Sequence, residues 1–398
     1  MRISAKAWLS RVAAMLVGLC FVNVAAAGQG APHYLITNDD LPQPLIPVNT
    51  TSVTFYSIGV KGEINLKSTV QTGGFGIGGG YFGLNRLAVL NNGNDQCVYS
   101  SEAGSGDIVG IDVSTLTVTG GVVGSASDTG TSNGIGLVTN GSYLYASFTD
   151  SGNIGTFQIE PGCTLSFIND VSVIGLQGGV VDAMATHGNL LIVTYGDGSI
   201  ESFNVSGGNP VSNGDKQNST AAINMQGATY PSAIDITQDG HYAIFGDTST
   251  AVVVEVSDIS SGKLMKTVVY QSVASISSSN ILLSPDETML YVSDTQGDRV
   301  SAAFFDKNTG KLTPGCTSNF MRGYSSHWSY LAGLALPFTT GNGGGAYVAE
   351  FGAPGTIGLV EVSSSGGKCF MKEGPHSPRV DMSSPGLLSI GTFPPRPF

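Results

Sequence analysis

Short runs of alternating apolar and polar residues, separated by Gly, Ser, Thr and Asn, fill most of this chain. The alternation is plain at residues 108–113, 154–159, 200–205 and 251–256. A period of two is typical of β-strands with one buried face, whereas the helical period is nearly absent. The 56 glycines supply turns between the strands. The pattern therefore predicts an all-β protein built from short strands.

These strands recur in a unit of roughly 50 residues. The clearest copy has a first strand at 282–283, the turn Ser284-Pro285-Asp286-Glu287, a second strand at 290–294 and a third at 300–306. Seven copies can be placed, one of them near residues 35–39. In the other six, equivalent second-strand positions are Tyr99, Tyr145, Ile192, Ile244, Tyr291 and Tyr347. Seven units of about four strands predict a seven-bladed β-propeller.

The two ends of the chain are expected to meet in one blade. The first copy begins at its second strand, and the missing inner strand is found at residues 384–390. That segment reads like the inner strands at 279–284 and 330–336. We therefore predict that the C-terminal strand completes the first blade and closes the ring, which removes an exposed sheet edge.

The N-terminus has the features of a secretory signal peptide. Arg2, Lys6 and Arg11 form a basic start, residues 12–24 are largely apolar, and residues 25–27 are alanines suited to cleavage. The apolar stretch is too short to be a convincing membrane span. We expect a signal peptide over residues 1–27, a single propeller domain over 28–398, and a secreted or periplasmic protein without a membrane span.

The charge distribution is acidic and uneven. The formal net charge is −12, and between Leu87 and Asp215 there are twelve Asp and Glu but no Lys or Arg. Nucleic-acid binding requires a basic footprint, so that class of partner is excluded. We interpret the acidic segment as a surface that keeps an exported protein soluble. The alternative is a face that binds a cation or a partner.

Four cysteines follow the predicted signal peptide: Cys97, Cys163, Cys316 and Cys369. An even number in an exported chain indicates two disulfides, for which three pairings can be drawn. Three of the four lie beside Gly turns, and their spacing does not suit a metal. We favour Cys97–Cys163 and Cys316–Cys369, because these pairs join neighbouring units.

An acidic residue ends the second strand of every unit. These residues are Asp39, Glu102, Asp150, Asp197, Asp247, Asp294 and Glu350. Such carboxylates could form a ring on one face, or each could accept backbone N–H bonds from the following turn. Neighbouring blades stand about 10 Å apart, whereas oxygen ligands lie about 2.3–2.6 Å from a Ca²⁺ ion. We therefore predict the turn role and no metal site.

Two glycine motifs resemble cofactor or catalytic signatures. Gly74, Gly76 and Gly79 match G-x-G-x-x-G, but no strand-to-helix unit surrounds them. Residues 130–134 match G-x-S-x-G, yet they fall in a connection between blades. Both matches are expected by chance in a Gly-rich chain, so no cofactor is predicted.

The strongest candidate site lies in the connection that enters the last inner strand. It contains Arg322, Tyr324, His327 and Trp328. Arg can hold an anionic group, aromatic rings can stack on a sugar-like or aromatic one, and His can act as an acid or base. The alternative is a loop packed on its own aromatic side chains. Equivalent entrances to other blades add Arg86, Asp182 and Tyr230 as candidate ligand-binding residues.

The run at 283–294, Leu-Ser-Pro-Asp followed by Leu-Tyr-Val-Ser-Asp, resembles the repeat of the seven-bladed lactonase-like propellers. That family includes phosphogluconolactonases and carboxymuconate cyclases and is related to the YVTN-repeat propellers. Residues 238–240 and 258–264 fit the same repeat. The resemblance implies a seven-bladed fold over nearly the whole exported chain and, in active members, His, Arg and Glu at the blade entrances.

Two entrances of this chain, residues 230–232 and 279–281, contain none of those three residue types. We therefore expect an exported propeller that binds a small molecule or a protein at its central face. The alternative is an extracytoplasmic lactone hydrolase or cyclase. In that case His327 would act as the general base for water and Arg322 would hold the developing oxyanion.

Overall fold

The structure is a computed structural model whose strands form seven antiparallel sheets. Residues 33–398 make one compact unit. The structure describes residues 34–38, 51–59, 63–76, 85–123, 134–220, 231–247, 253–271, 280–294, 299–318, 330–335, 344–351, 356–365, 368–374, 377, 379–380 and 389–395. Across these ranges no long apolar helix is found that could traverse a bilayer.

Each sheet is one blade, numbered here in the order in which the chain first enters it. Blade 1 contains β1 (Tyr34–Asn38), β2 (Ser52–Ile58), β3 (Ile64–Gln71) and β30 (Ser389–Phe393). Blade 2 contains β4 (Leu87–Asn91), β5 (Gln96–Glu102), β6 (Asp107–Asp112) and β7 (Thr117–Val123). Blade 3 contains β8 (Ile135–Thr139), β9 (Tyr143–Phe148), β10 (Asn153–Glu160) and β11 (Thr164–Ser172).

The remaining four blades follow the same plan, and two of them have a divided outer strand. Blade 4 contains β12 (Val181–His187), β13 (Leu190–Tyr195), β14 (Ser199–Asn204), β15 (Val211–Ser212) and β16 (Gln217–Asn218). Blade 5 contains β17 (Pro231–Ile236), β18 (Tyr242–Asp247), β19 (Val253–Asp258) and β20 (Val268–Gln271). Blade 6 contains β21 (Asn280–Leu283), β22 (Met289–Asp294), β23 (Arg299–Asp306) and β24 (Lys311–Thr317). Blade 7 contains β25 (Tyr330–Ala335), β26 (Gly344–Phe351), β27 (Thr356–Ser365), β28 (Lys368–Glu373) and β29 (Arg379–Val380).

The core lies between the faces of adjacent blades. Second strands such as β9 and β18 are almost wholly buried, whereas the outer strand β11 is largely exposed. Tyr99 of blade 2 packs in one apolar cluster with Leu137 and Leu144 of blade 3. Ile244 of blade 5 packs in another with Leu290 of blade 6. Face-to-face burial of this kind explains why the inner and middle strands are nearly continuous apolar runs.

The ring closes through the C-terminal strand, as predicted. β30 pairs with β1 in antiparallel register, with Tyr34 opposite Phe393 and Asn38 opposite Ser389. The described closing strand overlaps the predicted segment 384–390 at residues 389 and 390, and residues 381–388 lie outside the described ranges. The inner strands contact one another in the closed order β30, β4, β8, β12, β17, β21, β25 and back to β30. The seven-bladed propeller is thus confirmed.

Two disulfides join neighbouring blades, and both have the predicted pairing. Cys97 on β5 is bonded to Cys163, in the turn between β10 and β11, with the Cα atoms 5.5 Å apart. Cys316 on β24 is bonded to Cys369 on β28, with the Cα atoms 5.3 Å apart. Each bond therefore links the outer part of one blade to the next blade in the ring.

Candidate functional site

The inner strands surround a central cavity of about 230 Å³. Its described wall comes from six of these strands and the residues beside them. It comprises Asn85, Leu87, Ala88, Val89, Leu137, Val138, Thr139, Ala183, Met184, Ala185, Thr186, Ile234, Asp235, Ile236, Asn280, Ile281, Leu282, Ile390, Gly391, Thr392 and Pro395. Most of these side chains are aliphatic, and the described wall has no Lys, Arg or His. Polar and apolar atoms share the exposed wall about equally, and a cleft that combines apolar surface with polar groups can bind a small molecule.

Polar residues of the wall hold neighbouring blades together. The Thr186 hydroxyl donates a hydrogen bond to the carbonyl oxygen of Thr139 at 2.7 Å, which links blade 4 to blade 3. The Asp235 carboxylate accepts bonds from the backbone N–H groups of Ile236 at 2.8 Å and Leu283 at 2.7 Å. Asp235 therefore joins blade 5 to blade 6. Asn280, which the sequence places at an entrance, also lines the cavity.

Asp182 lies at a β-bulge where the inner strand of blade 4 begins. The register of β12 on β13 shifts between Val181 and Ala183, so Asp182 is an extra residue. It is only 8% exposed and directly precedes Ala183, a residue of the cavity wall. Its carboxyl group has no hydrogen-bond partner within the described part of the chain. Burial raises the pKa of Asp182 to about 7, which leaves this carboxyl largely neutral in mildly acidic solution.

Ser232 occupies the equivalent bulge of blade 5. The register of β17 on β18 shifts between Pro231 and Ala233, which leaves Ser232 as the extra residue. The side chain is buried, and among the described residues none forms a hydrogen bond with its hydroxyl oxygen. Ser232 could not be singled out from the sequence, because a lone serine at a strand start carries no signal. The bulge becomes visible only when the partner strand fixes the register.

Arg86, predicted as a ligand-binding residue, immediately precedes β4 and is 1% exposed. Its backbone N–H donates to the Ser389 hydroxyl at 2.9 Å, and its carbonyl oxygen accepts from the N–H of Ser101 at 3.0 Å. These bonds tie the closing strand of blade 1 to blade 2. The Arg86 side chain lies in the packed interior of the described structure.

The acidic residues at the second-strand ends differ from one another. Asp197 has the expected turn role, because it accepts bonds from the N–H groups of Ser199, Gln177 and Gly179 at 3.0, 2.7 and 3.0 Å. Glu102 instead accepts a bond from the Thr51 hydroxyl and is fully buried. The turn role is therefore not common to all blades. Asp39 lies outside the described ranges, as do the side chains of Asp294 and Glu350.

Five other predicted site residues lie outside the described ranges: Tyr230, Arg322, Tyr324, His327 and Trp328. Of the predicted set, the structure therefore places Arg86 and Asp182. Both precede or begin an inner strand, in blades 2 and 4 respectively. Within the described ranges no three His, Cys, Asp or Glu side chains are grouped to hold a metal ion.

A second cavity, of about 360 Å³, lies between the hairpins of blades 4 and 5. His187 and Asp239 are part of its wall. His187 Nε2 donates to the Gln238 carbonyl oxygen at 2.9 Å, and Asp239 accepts from the Thr237 hydroxyl at 2.7 Å. We take the central cavity as the better candidate site, because the inner strands of six blades converge on it.

Comparison with known proteins agrees with this architecture. No protein-family model and no curated protein sequence matches the chain. Among solved structures, a proposed 6-phosphogluconolactonase from Bacteroides fragilis superposes with a TM-score of 0.67 at 14% identity, covering 92% of this chain and 99% of that one. A proposed 6-phosphogluconolactonase from Bacteroides uniformis gives a TM-score of 0.66 at 13% identity, covering 91% and 100%. The periplasmic gluconolactonase of Pseudomonas aeruginosa gives 0.55 at 16% identity, covering 70% and 80%.

These likenesses define the class of protein at the level of the fold. The chain has the fold of the lactonase-like seven-bladed β-propellers, and the resemblance read from residues 283–294 is confirmed to that extent. Sequence identities of 13–16% support a shared fold but do not indicate a shared activity.

Proposed function

We propose that this protein is an exported propeller that binds a small, uncharged molecule in its central cavity. The observation that carries the proposal is the wall itself, where aliphatic side chains and polar groups are exposed about equally and no cationic side chain is among the described residues. Aliphatic residues supply binding energy by leaving water, and isolated polar groups orient the ligand. A phosphorylated ligand is disfavoured, because the described wall offers no cationic side chain to pair with phosphate.

Export is supported by two independent features of the chain. The first 27 residues have the order of a secretory signal peptide. Both inter-blade disulfides are of a kind that persists outside the reducing cytoplasm. The similar gluconolactonase of Pseudomonas aeruginosa is itself periplasmic. A secreted or periplasmic location follows from the proposal.

Binding in the cavity can be tested by filling it. Coumarin is a suitable probe, since it is a flat, uncharged aromatic lactone, and ligand-observed NMR detects weak binding to the purified protein. Val89→Trp places an indole against the cavity wall, and we expect it to abolish the coumarin signal. Val211→Trp is the matched control, because Val211 is 64% exposed on an outer strand. Equal signals from the two variants would overturn cavity binding.

The second candidate function is lactone hydrolysis, and it is favoured by the fold shared with the named gluconolactonases. In this reaction His327 would take a proton from water as the water adds to the lactone carbonyl. Arg322 would stabilise the oxyanion before the ring C–O bond breaks and the hydroxy acid is released. Proton release on a panel of sugar and aromatic lactones tests the reaction. Turnover lost in His327→Ala and kept in His241→Ala would establish hydrolysis, whereas no release above buffer from the wild type would exclude it for those lactones.

A further inference from the structure

The second cavity lies at a junction between blades that lacks an aromatic side chain present at two other junctions. In blades 3 and 5 the second strand begins with a tyrosine, Tyr143 or Tyr242. Each tyrosine ring packs on a glycine in the turn between the third and fourth strands of the next blade. A Cβ atom at Gly208 would lie 2.9 Å from the Tyr143 ring, and one at Gly310 would lie 2.6 Å from the Tyr242 ring. Tyrosine therefore fills the junctions of blade 3 with blade 4 and of blade 5 with blade 6.

Blade 4 departs from this pattern. Its second strand begins with Leu190, and the equivalent turn glycine of blade 5 is Gly262. The φ angles of Gly208, Gly262 and Gly310 are 87°, 76° and 65°, so the three turns have a similar form. At Gly262, however, no heavy atom beyond the adjacent residues lies within 4 Å of the Cβ position. Leucine is shorter than tyrosine, and it leaves open the space that a tyrosine ring fills at the two neighbouring junctions.

This open space is the cavity of about 360 Å³ between the hairpins of blades 4 and 5, and Leu190 and Gly262 are part of its wall. Leu190 and Ile259 are the aliphatic residues of the described wall. Its other side chains are amides, hydroxyls, one carboxyl and one imidazole, without Lys or Arg. The volume is in the range of small-molecule sites. The wall therefore suits a ring-shaped molecule that carries several neutral polar groups.

Two asparagines of the wall can bind such groups without breaking a contact within the described chain. The Asn189 side chain is exposed, and its amide has no hydrogen bond to a described residue. Asn204 Oδ1 accepts from the N–H of Ser206 at 2.9 Å, which leaves Asn204 Nδ2 without a described partner. Asn213 Nδ2 donates to the Gly262 carbonyl oxygen at 3.2 Å and so ties the two blades together beside the cavity. A side-chain amide both donates and accepts, as does a hydroxyl group.

We propose that this cavity is a second binding site and that its ligand is a neutral pyranose sugar. A pyranose is six-membered, like the missing tyrosine ring, and its hydroxyl groups match the amides of Asn189 and Asn204. Its C–H face can lie against Leu190 and Ile259. An acidic sugar is disfavoured, because the described wall has no Lys or Arg to pair with it. The two cavities have no described wall residue in common, so this inference is independent of the proposed function.

Ligand-observed NMR with methyl glucoside, methyl galactoside and methyl mannoside tests the inference. We expect the wild-type protein to give a saturation-transfer signal with at least one of them. Leu190→Tyr supplies the ring found in blades 3 and 5, so it should abolish this signal and melt no lower than the wild type. Leu66→Tyr is the matched control, because Leu66 is 59% exposed on β3, and it should bind as the wild type does.

Asn189→Ala separates binding from packing. Because the Asn189 amide bonds no described residue, the variant should keep the melting temperature of the wild type. It should bind the glycoside about fivefold more weakly, the effect of one lost hydrogen bond. Asn169→Ala, at an exposed position of β11, is the matched control and should change neither property.

The outcomes decide each part of the inference. No signal from the wild type with any of the three glycosides, or equal signals from Leu190→Tyr and Leu66→Tyr, would overturn the site. Unchanged affinity in Asn189→Ala would overturn the role of that amide. p-Cresol is the tyrosine side chain as a free molecule, and binding of p-cresol without any glycoside would overturn the ligand class. Coumarin binding in the central cavity should be unaffected by Leu190→Tyr, so failure of one site is distinguishable from failure of the other.

Discussion

Asp247 and Glu255 form a buried pair of carboxyl groups on adjacent strands of blade 5. Both residues are fully buried. Burial, followed by the charge of Glu255, raises the pKa of Asp247 well above its usual range. The ionised form of Asp247 is therefore disfavoured in the folded protein, because burial and a neighbouring carboxylate both oppose its charge.

Blade 4 has different residues at the equivalent positions of its second and third strands. Tyr195 and Glu201 occupy the positions that Asp247 and Glu255 hold in blade 5. The Tyr195 hydroxyl donates to Glu201 at 2.8 Å, and Lys216 Nζ lies 2.9 Å from the same carboxylate. The buried glutamate of the third strand is thus paired with a cation in blade 4, whereas in blade 5 it lies beside a second acid whose ionisation is disfavoured.

We expect Asp247→Asn to stabilise the protein at neutral pH and above. Because the folded-state pKa of Asp247 lies above the unfolded value near 3.8, the folded state binds more protons, so stability falls as pH rises from about 4. Asparagine removes that loss and can still donate to Glu255. Thermal unfolding between pH 4 and pH 8 should show the melting temperature of the variant rising relative to that of the wild type as pH increases. Each kcal/mol of added stability corresponds to about 2–4 °C.

Asp197→Asn is a control for which the change in stability with pH should have the opposite sign. Although burial acts to raise the pKa of Asp197, hydrogen bonds from Ser199, Gln177 and Gly179 lower it below its usual range. The ionised carboxylate is therefore stabilising above the unfolded pKa, and this contribution is lost as pH falls. The variant should be less stable than the wild type at pH 7 and approach it at low pH. The same pH slope in both variants would contradict the assignment of Asp247.

In blade 4 we expect Lys216→Met to destabilise the fold by about 3 kcal/mol, because it leaves the buried Glu201 carboxylate without its counter-ion. Tyr195→Phe should cost less, about 1 kcal/mol, since only one hydrogen bond is lost. Urea unfolding at pH 7 measures both. Lys263→Met, at an exposed lysine, is the control, and a loss equal to that of Lys216→Met would contradict the pairing.

Removal of an inter-blade disulfide should be costly. The Cys97–Cys163 bond closes a loop across 66 residues, for which the chain-entropy model gives about 4 kcal/mol. The double variant Cys97→Ala, Cys163→Ala should therefore lose stability of that order in urea unfolding. Reductant should lower the stability of the wild type but change the variant less, since the variant keeps only the Cys316–Cys369 bond. Equal effects of reductant on both proteins would contradict a structural role for the first bond.

Ring closure should depend on the apolar side chain at the end of the chain. Phe393 is fully buried on β30, opposite Tyr34. We expect Phe393→Ala to cost about 3–5 kcal/mol and to raise the tendency to aggregate, because a loosened β30 exposes the edge of β1. Phe370→Ala, at a residue 64% exposed, should be nearly neutral. Similar stability of the two variants in urea would argue against closure by β30.

The sequence predicts the blades well because a strand is a local pattern. The inner strand predicted at 330–336 is found at Tyr330–Ala335, and the one at 279–284 at Asn280–Leu283. Disulfide pairing followed from the order of the units. The closing strand was predicted because the first unit lacks an inner strand, and its exact register is set only by the partner strand β1.

The site was harder to predict because it depends on contacts between strands. Asp182 was identified from its position at a blade entrance, but the bulge that makes it an extra residue depends on its register with β13. Ser232 carried no signal at all. Asp247 was expected to serve a turn, as Asp197 does, and its actual neighbour Glu255 comes from the next strand. Such pairings are set by tertiary structure, which a one-dimensional pattern does not contain.

The most direct test of the account is a crystal structure of residues 28–398 soaked with coumarin at pH 5.5. The account predicts coumarin between the inner strands, its rings against Val89 and Leu282 of the cavity wall. An empty central cavity at saturating coumarin, or coumarin ordered only on the outer surface, would contradict the claim that this propeller binds small molecules at its centre.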